Sequence, residues 1–232
     1  MKPHLSIFFL LAYLITHAQK DDVIKKNLPK KLIDKVGLIG GPSISGMWNS
    51  EGYRHNGIIK FGYIAGFEFT HSFNERFELS TLFLLERKGE KQLYEVHDST
   101  GRVVGQGKYW YNSNYYSVVF LPKYFFGKQK RMEVGAGVYY SYLKNAEFVF
   151  IGYKNGSLNF TKYYTPYDLG LSVHVGYNFQ FSEKVFMDIR FVNNLGLSKV
   201  ALLSPFSVPL GKNNAYSMVI CLKFTRFNRF KI

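Results

Sequence analysis

Twelve consecutive residues in the C-terminal half of this chain alternate without a fault. Leu169, Leu171, Val173, Val175, Tyr177 and Phe179 are interleaved with Gly170, Ser172, His174, Gly176, Asn178 and Gln180. Successive side chains of a strand point to opposite faces, so this period of two marks a strand with one apolar face and one small or polar face. About eleven residues suffice for one tilted crossing of a bilayer. The same texture recurs near Val36–Met47, Ile59–Phe73, Phe77–Arg87, Tyr115–Phe126, Met132–Leu143, Val185–Leu195 and Tyr216–Phe224, which makes eight such segments.

The joints between segments alternate in length. Short turns fall at Asn74–Arg76, Gly127–Lys130 and Ser182–Lys184; longer connections cover Trp48–Ile58, Lys88–Asn114, Lys144–Asp168 and Gly196–Ala215. Three short and four long joints, in strict alternation, predict an all-β fold: an eight-stranded antiparallel up-and-down transmembrane β-barrel with short periplasmic turns and longer extracellular loops. The two longest loops carry hairpin signals at Asp98-Ser99-Thr100-Gly101 and Lys154-Asn155-Gly156-Ser157, so their strands are expected to run on past the membrane as a stiff rim.

Alternation alone leaves open which face meets lipid, because a soluble lipocalin-like barrel has the same period with its apolar side inward. The polar face decides in favour of lipid outside. It is dominated by Gly, Ser, Asn and Thr rather than by the Lys and Glu of a water-bathed surface, and small residues suit the narrow interior that eight strands enclose. Aromatic content of 18%, with 22 Phe and 18 Tyr, supports a lipid-facing band with interfacial girdles. The lone Cys221 rules out a disulfide within the chain and reads as a compact buried side chain.

The ends are of another kind. Lys2, the apolar run Leu5–Ile15 and the small residues Thr16 and Ala18 have the plan of a secretory signal peptide over 1–18, cleaved near Ala18. A basic periplasmic lead-in over 19–34, the barrel over 35–225 and a short basic tail over 226–232 complete the organisation. After Ala18 no run of eighteen apolar residues occurs, so any membrane crossing must be made by strands.

Charges on the small-residue face form a short list: Glu68, Glu78, Glu86, Glu133 and Asp188 against Lys123, Arg190 and Lys223, with His174 nearby. In a low-dielectric lumen these must pair, so an ion-pair network plugging the barrel is expected; a narrow ion path is the alternative. The net charge of +14 then resides at the ends, and Lys128, Lys130, Arg131, Arg226 and Arg229 are expected on a basic periplasmic rim. Such a rim could hold lipid phosphates or dock a periplasmic protein; nucleic acid does not fit a secreted chain.

Several segments resemble the PorT-like outer-membrane β-barrel family. Lys35-Val36-Gly37-Leu38-Ile39-Gly40-Gly41-Pro42-Ser43 is similar to its opening strand. Gly62–Phe67 with Phe77–Gly89, Tyr115–Phe126 with Leu121-Pro122-Lys123-Tyr124, and Glu133–Gly137 are similar to its next four. The resemblance spans Lys35 to Phe224. It implies an eight-stranded outer-membrane barrel, recognition by the barrel-insertion machinery, and a secretion-system partner for the name-giving member.

Chemistry is sparse. His55, His71 and His97 are scattered, and no His-x-x-x-His or Cys-x-x-Cys pair, nucleophile elbow or phosphate loop occurs, so no metal, cofactor or catalytic residue is expected. The expected function is a non-enzymatic barrel, structural or a binding and assembly partner, linked to protein secretion through the resemblance. A small-solute channel is the first alternative. A barrel enzyme is the second, with His97-Asp98-Ser99 offering the only suitable residue types.

Overall fold

The computed structural model describes residues 34–49, 59–151, 155–200 and 211–225. Nine strands occur among them: β1 (Lys35–Asn49), β2 (Lys60–Ser72), β3 (Phe77–His97), β4 (Val103–Phe126), β5 (Met132–Ile151), β6 (Gly156–Asn159), β7 (Tyr167–Gln180), β8 (Val185–Gly196) and β9 (Gly211–Thr225). Eight of them close an antiparallel ring in the order β1-β2-β3-β4-β5-β7-β8-β9, with β9 returning to β1 through Lys35–Thr225 and its successors. Closure leaves no sheet edge in the lipid, where unpaired backbone groups are prohibitively costly. All eight alternating segments lie on ring strands. The fold is an eight-stranded up-and-down transmembrane barrel.

The apolar face points outward. Leu38, Phe67, Phe83, Val138, Leu169, Val173 and Ile220 are all exposed along the wall. Tyr63, Tyr116, Tyr142, Tyr167 and Tyr216 make a tyrosine belt on the extracellular side, with Tyr116 beside Tyr142 and Tyr142 beside Tyr167. Phe73, Phe179, Phe181 and Phe224 sit exposed at the short-turn side. Aromatic rings prefer headgroup level, so the two belts bracket the acyl region.

Two ring seams, β1–β9 and β4–β5, each skip rungs at a proline. Pro42 and Pro122 have no N–H to give. The wall is tight there. A Cβ on Gly41 would lie 2.0 Å from the Met218 carbonyl oxygen, and one on Gly137 1.9 Å from that of Phe120. Only glycine permits this approach, which lets a small barrel curve.

Above the tyrosine belt three strands continue. β3 reaches His97 and β4 starts at Val103, joined by a turn in which Gly101 adopts φ 81° and its N–H donates to the Asp98 carbonyl at 3.0 Å. β5 runs to Ile151 and pairs with β6 through Glu147–Asn159. At the base of this four-stranded projection Tyr115, Leu143, Ala146, Phe160 and Tyr164 form a small core, with Met47 of β1, Phe148 and Tyr163 packed against it. Rings of Phe148 and Phe160 lie 5.4 Å apart, and those of Phe160 and Tyr163 lie 4.8 Å apart. The expected stiff rim is therefore a packed sheet. The expected signal peptide over 1–18, the expected lead-in as far as residue 33, His55 and the tail 226–232 lie outside the described residues.

Candidate functional site

Inward-facing residues of the ring form three layers. Nearest the periplasmic turns lies a charged layer centred on Arg190. Its Nη1 and Nη2 donate to the two carboxylate oxygens of Glu68 at 2.7 and 3.1 Å, its Nε to Glu133 at 2.6 Å, and Nη2 also to Asp188. Arginine suits this position because its planar fork satisfies several carboxylates at fixed angles. Lys123 reaches Glu68 at 2.9 Å and Glu78 at 3.3 Å; Lys223 reaches Asp188, and Glu68 at 3.4 Å. Lys35 closes the layer on Glu78 at 2.5 Å. Four carboxylates thus face four cations (Glu68, Glu78, Glu133 and Asp188 against Lys35, Lys123, Arg190 and Lys223).

Neutral donors complete this layer. Ser80 donates to Glu68 at 2.6 Å and the Cys221 thiol donates to Glu68 at 3.2 Å. His174 places Nε2 3.4 Å from Glu133. Ligating atoms of Glu68, Asp188 and Cys221 come within 4.8 Å of one another. Arg190 donates into that space and Lys223 forms ion pairs there with Glu68 and Asp188, so an entering cation would meet two resident positive charges.

The middle layer is apolar. Ile39, Ile64, Leu82, Leu84, Val119, Leu121 and Val219 pack together across the lumen with Val192 and the Tyr139 ring. This septum corrects the expectation of an interior dominated by Gly, Ser, Asn and Thr with isolated charges. Its source is the two runs Leu82-Phe83-Leu84-Leu85 and Val118-Val119-Phe120-Leu121, which are apolar on both faces and so break the alternation. One side of each run fills the septum, and the other presents Phe83, Leu85 and Phe120 on the outer wall.

Above the septum lies a second polar layer, around Glu86 and Asp168. Glu86 accepts from the Ser117 hydroxyl and from Asn194 at 3.0 Å. Asp168 accepts from Asn213 at 2.9 Å, Tyr139 at 3.2 Å and Ser198 at 3.2 Å. One cation serves both: Lys88 Nζ lies 3.2 Å from Glu86, 3.6 Å from Asp168 and 4.6 Å from the Tyr139 ring centre. The single expected network is therefore two, with Glu86 cut off from its fellow members by the septum. Lys88 and Asp168 open and close long connections in the sequence, yet both lie on ring strands, β3 and β7.

At the periplasmic end Lys128 and Arg131 flank the β4–β5 turn, and Lys130 reaches across to Glu75 on the neighbouring turn. Arg226 and Arg229 lie outside the described residues. At the far end, His97 and Asp98 do not converge on a common point. His97 Nε2 sits 3.6 Å from Glu95, while Asp98 Oδ1 accepts from the Thr100 hydroxyl at 2.6 Å and from the Thr100 and Arg102 amides. The Thr100 hydroxyl, followed by these amides, holds the Asp98 carboxyl below its ordinary range. That carboxylate is committed to its turn.

Residues 34–200 match the family described as outer membrane protein beta-barrel domain. No curated protein matches the chain. Among solved structures, the attachment invasion locus protein Ail of Yersinia pestis is 12% identical, covering 83% of this chain and 100% of that one with a TM-score of 0.39. Neisserial surface protein A is 15% identical, covering 82% and 97% with a TM-score of 0.44. OprG of Pseudomonas aeruginosa is 10% identical, covering 84% and 97% with a TM-score of 0.38.

Proposed function

Because this chain belongs to the outer membrane protein beta-barrel family, we propose that it is a non-conducting, non-enzymatic barrel that holds an extracellular sheet in place for a protein partner. The observation that carries this reading is the filled lumen. A path through it would have to cross an apolar septum lying between two sets of paired charges. Each polar layer is tied together by ion pairs among its buried carboxylates and cations, which suits a plug better than a conduit. The projection β3–β6 supports the second half of the reading. Its strands are laddered to the hairpin tip and its base packs on an aromatic cluster, so a partner would meet a surface already ordered, at low entropic cost.

The resemblance to PorT-like barrels puts such a partner in a secretion machinery, and the basic turn carrying Lys128, Lys130 and Arg131 is the matching candidate surface on the periplasmic side. Two measurements test the proposal. In planar bilayers the purified barrel should show no discrete conductance, and a reproducible single-channel step would sink the plug. Replacing 91–108 by a two-residue turn should leave an inserted, heat-modifiable barrel that no longer forms the cross-linked species seen with the full chain. Unchanged cross-linking would remove the sheet from the reading.

A further inference from the structure

Just above the tyrosine belt, the outer wall carries a cleft of about 270 Å3 whose lining includes Tyr63, Leu85, Arg87, Asn114, Lys144 and Glu147. It owes its existence to a slip in the β4–β5 ladder: Asn114 faces Asn145 while Tyr115 faces Leu143. Lys144 is thus the extra residue of a β-bulge, the local device that re-aims a side chain. It is left on the exposed outer face with Nζ 5.6 Å from the Tyr116 ring centre. Arg87 stands across from Asn114 on β3. Among the described residues its Nε is buried without a hydrogen-bond partner, and no described carboxylate forms an ion pair with Arg87 or Lys144.

Other groups fix the polarity of this place. Asn114 donates to the Asn145 side chain at 3.1 Å, which in turn donates to Glu147 at 3.4 Å. Lys60 donates to the neighbouring Asn112. Glu147 is the one carboxylate aimed at the cleft; Glu86, also at its wall, is turned inward to Ser117 and Asn194. The cleft therefore carries an excess of positive charge, with Arg87 and Lys144 against Glu147. Its height is that of lipid headgroups, since tyrosine belts mark that level, and it opens to the lipid side of the wall. A guanidinium paired with an ammonium, flanked by amide groups, is the chemistry that recognises a phosphoryl group.

We propose that this cleft binds the phosphoryl group of an outer-leaflet lipid, with Arg87 and Lys144 as its two cationic contacts. The buried Arg87 Nε gains an acceptor, and the bulge supplies the second cation at the right level. Retention of lipid would anchor the base of β3–β5, where the sheet leaves the membrane.

The test uses the full chain in phosphatidylcholine nanodiscs carrying bis-phosphorylated lipid A, or its dephosphorylated form, with bound lipid counted by native mass spectrometry. Wild type should retain the phosphorylated lipid and not the dephosphorylated one. R87Q with K144Q should lower retention roughly 30-fold, the effect of two cations at an anionic surface. K91Q with K108Q, an equal charge loss farther along the same sheet, should leave it unchanged. Equal loss in both pairs, or no loss in R87Q with K144Q, overturns the proposal. A third arm follows inorganic phosphate by 31P line broadening. Broadening abolished by R87Q with K144Q, without lipid retention, upholds phosphoryl recognition and overturns the lipid as its source. Heat-modifiable migration on gels confirms that each variant has folded.

Discussion

The two polar layers of the lumen solve one problem by different means. Below the septum, charge is met by charge: four carboxylates and four cations interlock, and Arg190 alone engages three carboxylates. Above it, two carboxylates share one cation, Lys88, and the remaining acceptor capacity goes to hydroxyls and amides of Ser117, Asn194, Asn213, Tyr139 and Ser198. The lower layer depends on its ions being present together. In the upper one neutral hydroxyls and amides supply the hydrogen bonds, and Lys88 adds an ion pair beside them.

The sharpest way to break the contrast is to remove the central cation from each layer. R190M strands Glu68, Glu133 and Asp188 around too few donors. It should cost about 3–5 kcal/mol, the usual penalty for leaving buried charge uncompensated. K88M leaves Glu86 and Asp168 with their neutral donors, and should cost only about 1–3 kcal/mol. Urea unfolding in lipid vesicles measures both, and equal losses would erase the distinction. The septum between the layers is probed next. L84A with L121A opens space in a packed apolar layer and should add a small conductance to a silent barrel, whereas either polar-layer variant should not. Bilayer recordings decide this.

The smallest effect lies outside the lumen, at the hairpin tip. The Asp98 carboxyl is held low by the Thr100 hydroxyl and by turn amides. A depressed folded-state pKa contributes order above the ordinary carboxylate range and loses it as pH falls through the lower folded value. Amide exchange at Thr100 and Arg102 should therefore stay slow at neutral pH and speed up only in acid below the ordinary Asp range. D98N should loosen the tip at every pH while leaving the barrel's unfolding unchanged.

The same contrast explains what could be read from the sequence. Glu68, Glu133, Asp188 and Arg190 sit mid-strand, where alternation assigns a face with no further information, and all four face the lumen. Lys88 and Asp168 sit where alternation gives way to a long connection, so nothing local says that the strand continues past them. The septum was hidden for the opposite reason. Leu82, Leu84, Val119 and Leu121 lie among apolar neighbours on both faces, and a period-two pattern vanishes when both faces are greasy. The Arg87–Lys144 cleft is less legible still, because it depends on a one-residue slip between two strands that no single-strand pattern records.

β3 has 21 residues and β4 has 24, about twice what one crossing of the outer membrane requires. At roughly 3.4 Å per residue the surplus carries the Asp98–Gly101 turn some 30 Å from the bilayer. A peptide grafted at Ser99 would therefore stand well clear of the ring, and a large molecule approaching from that side would touch this turn before it touched the barrel wall.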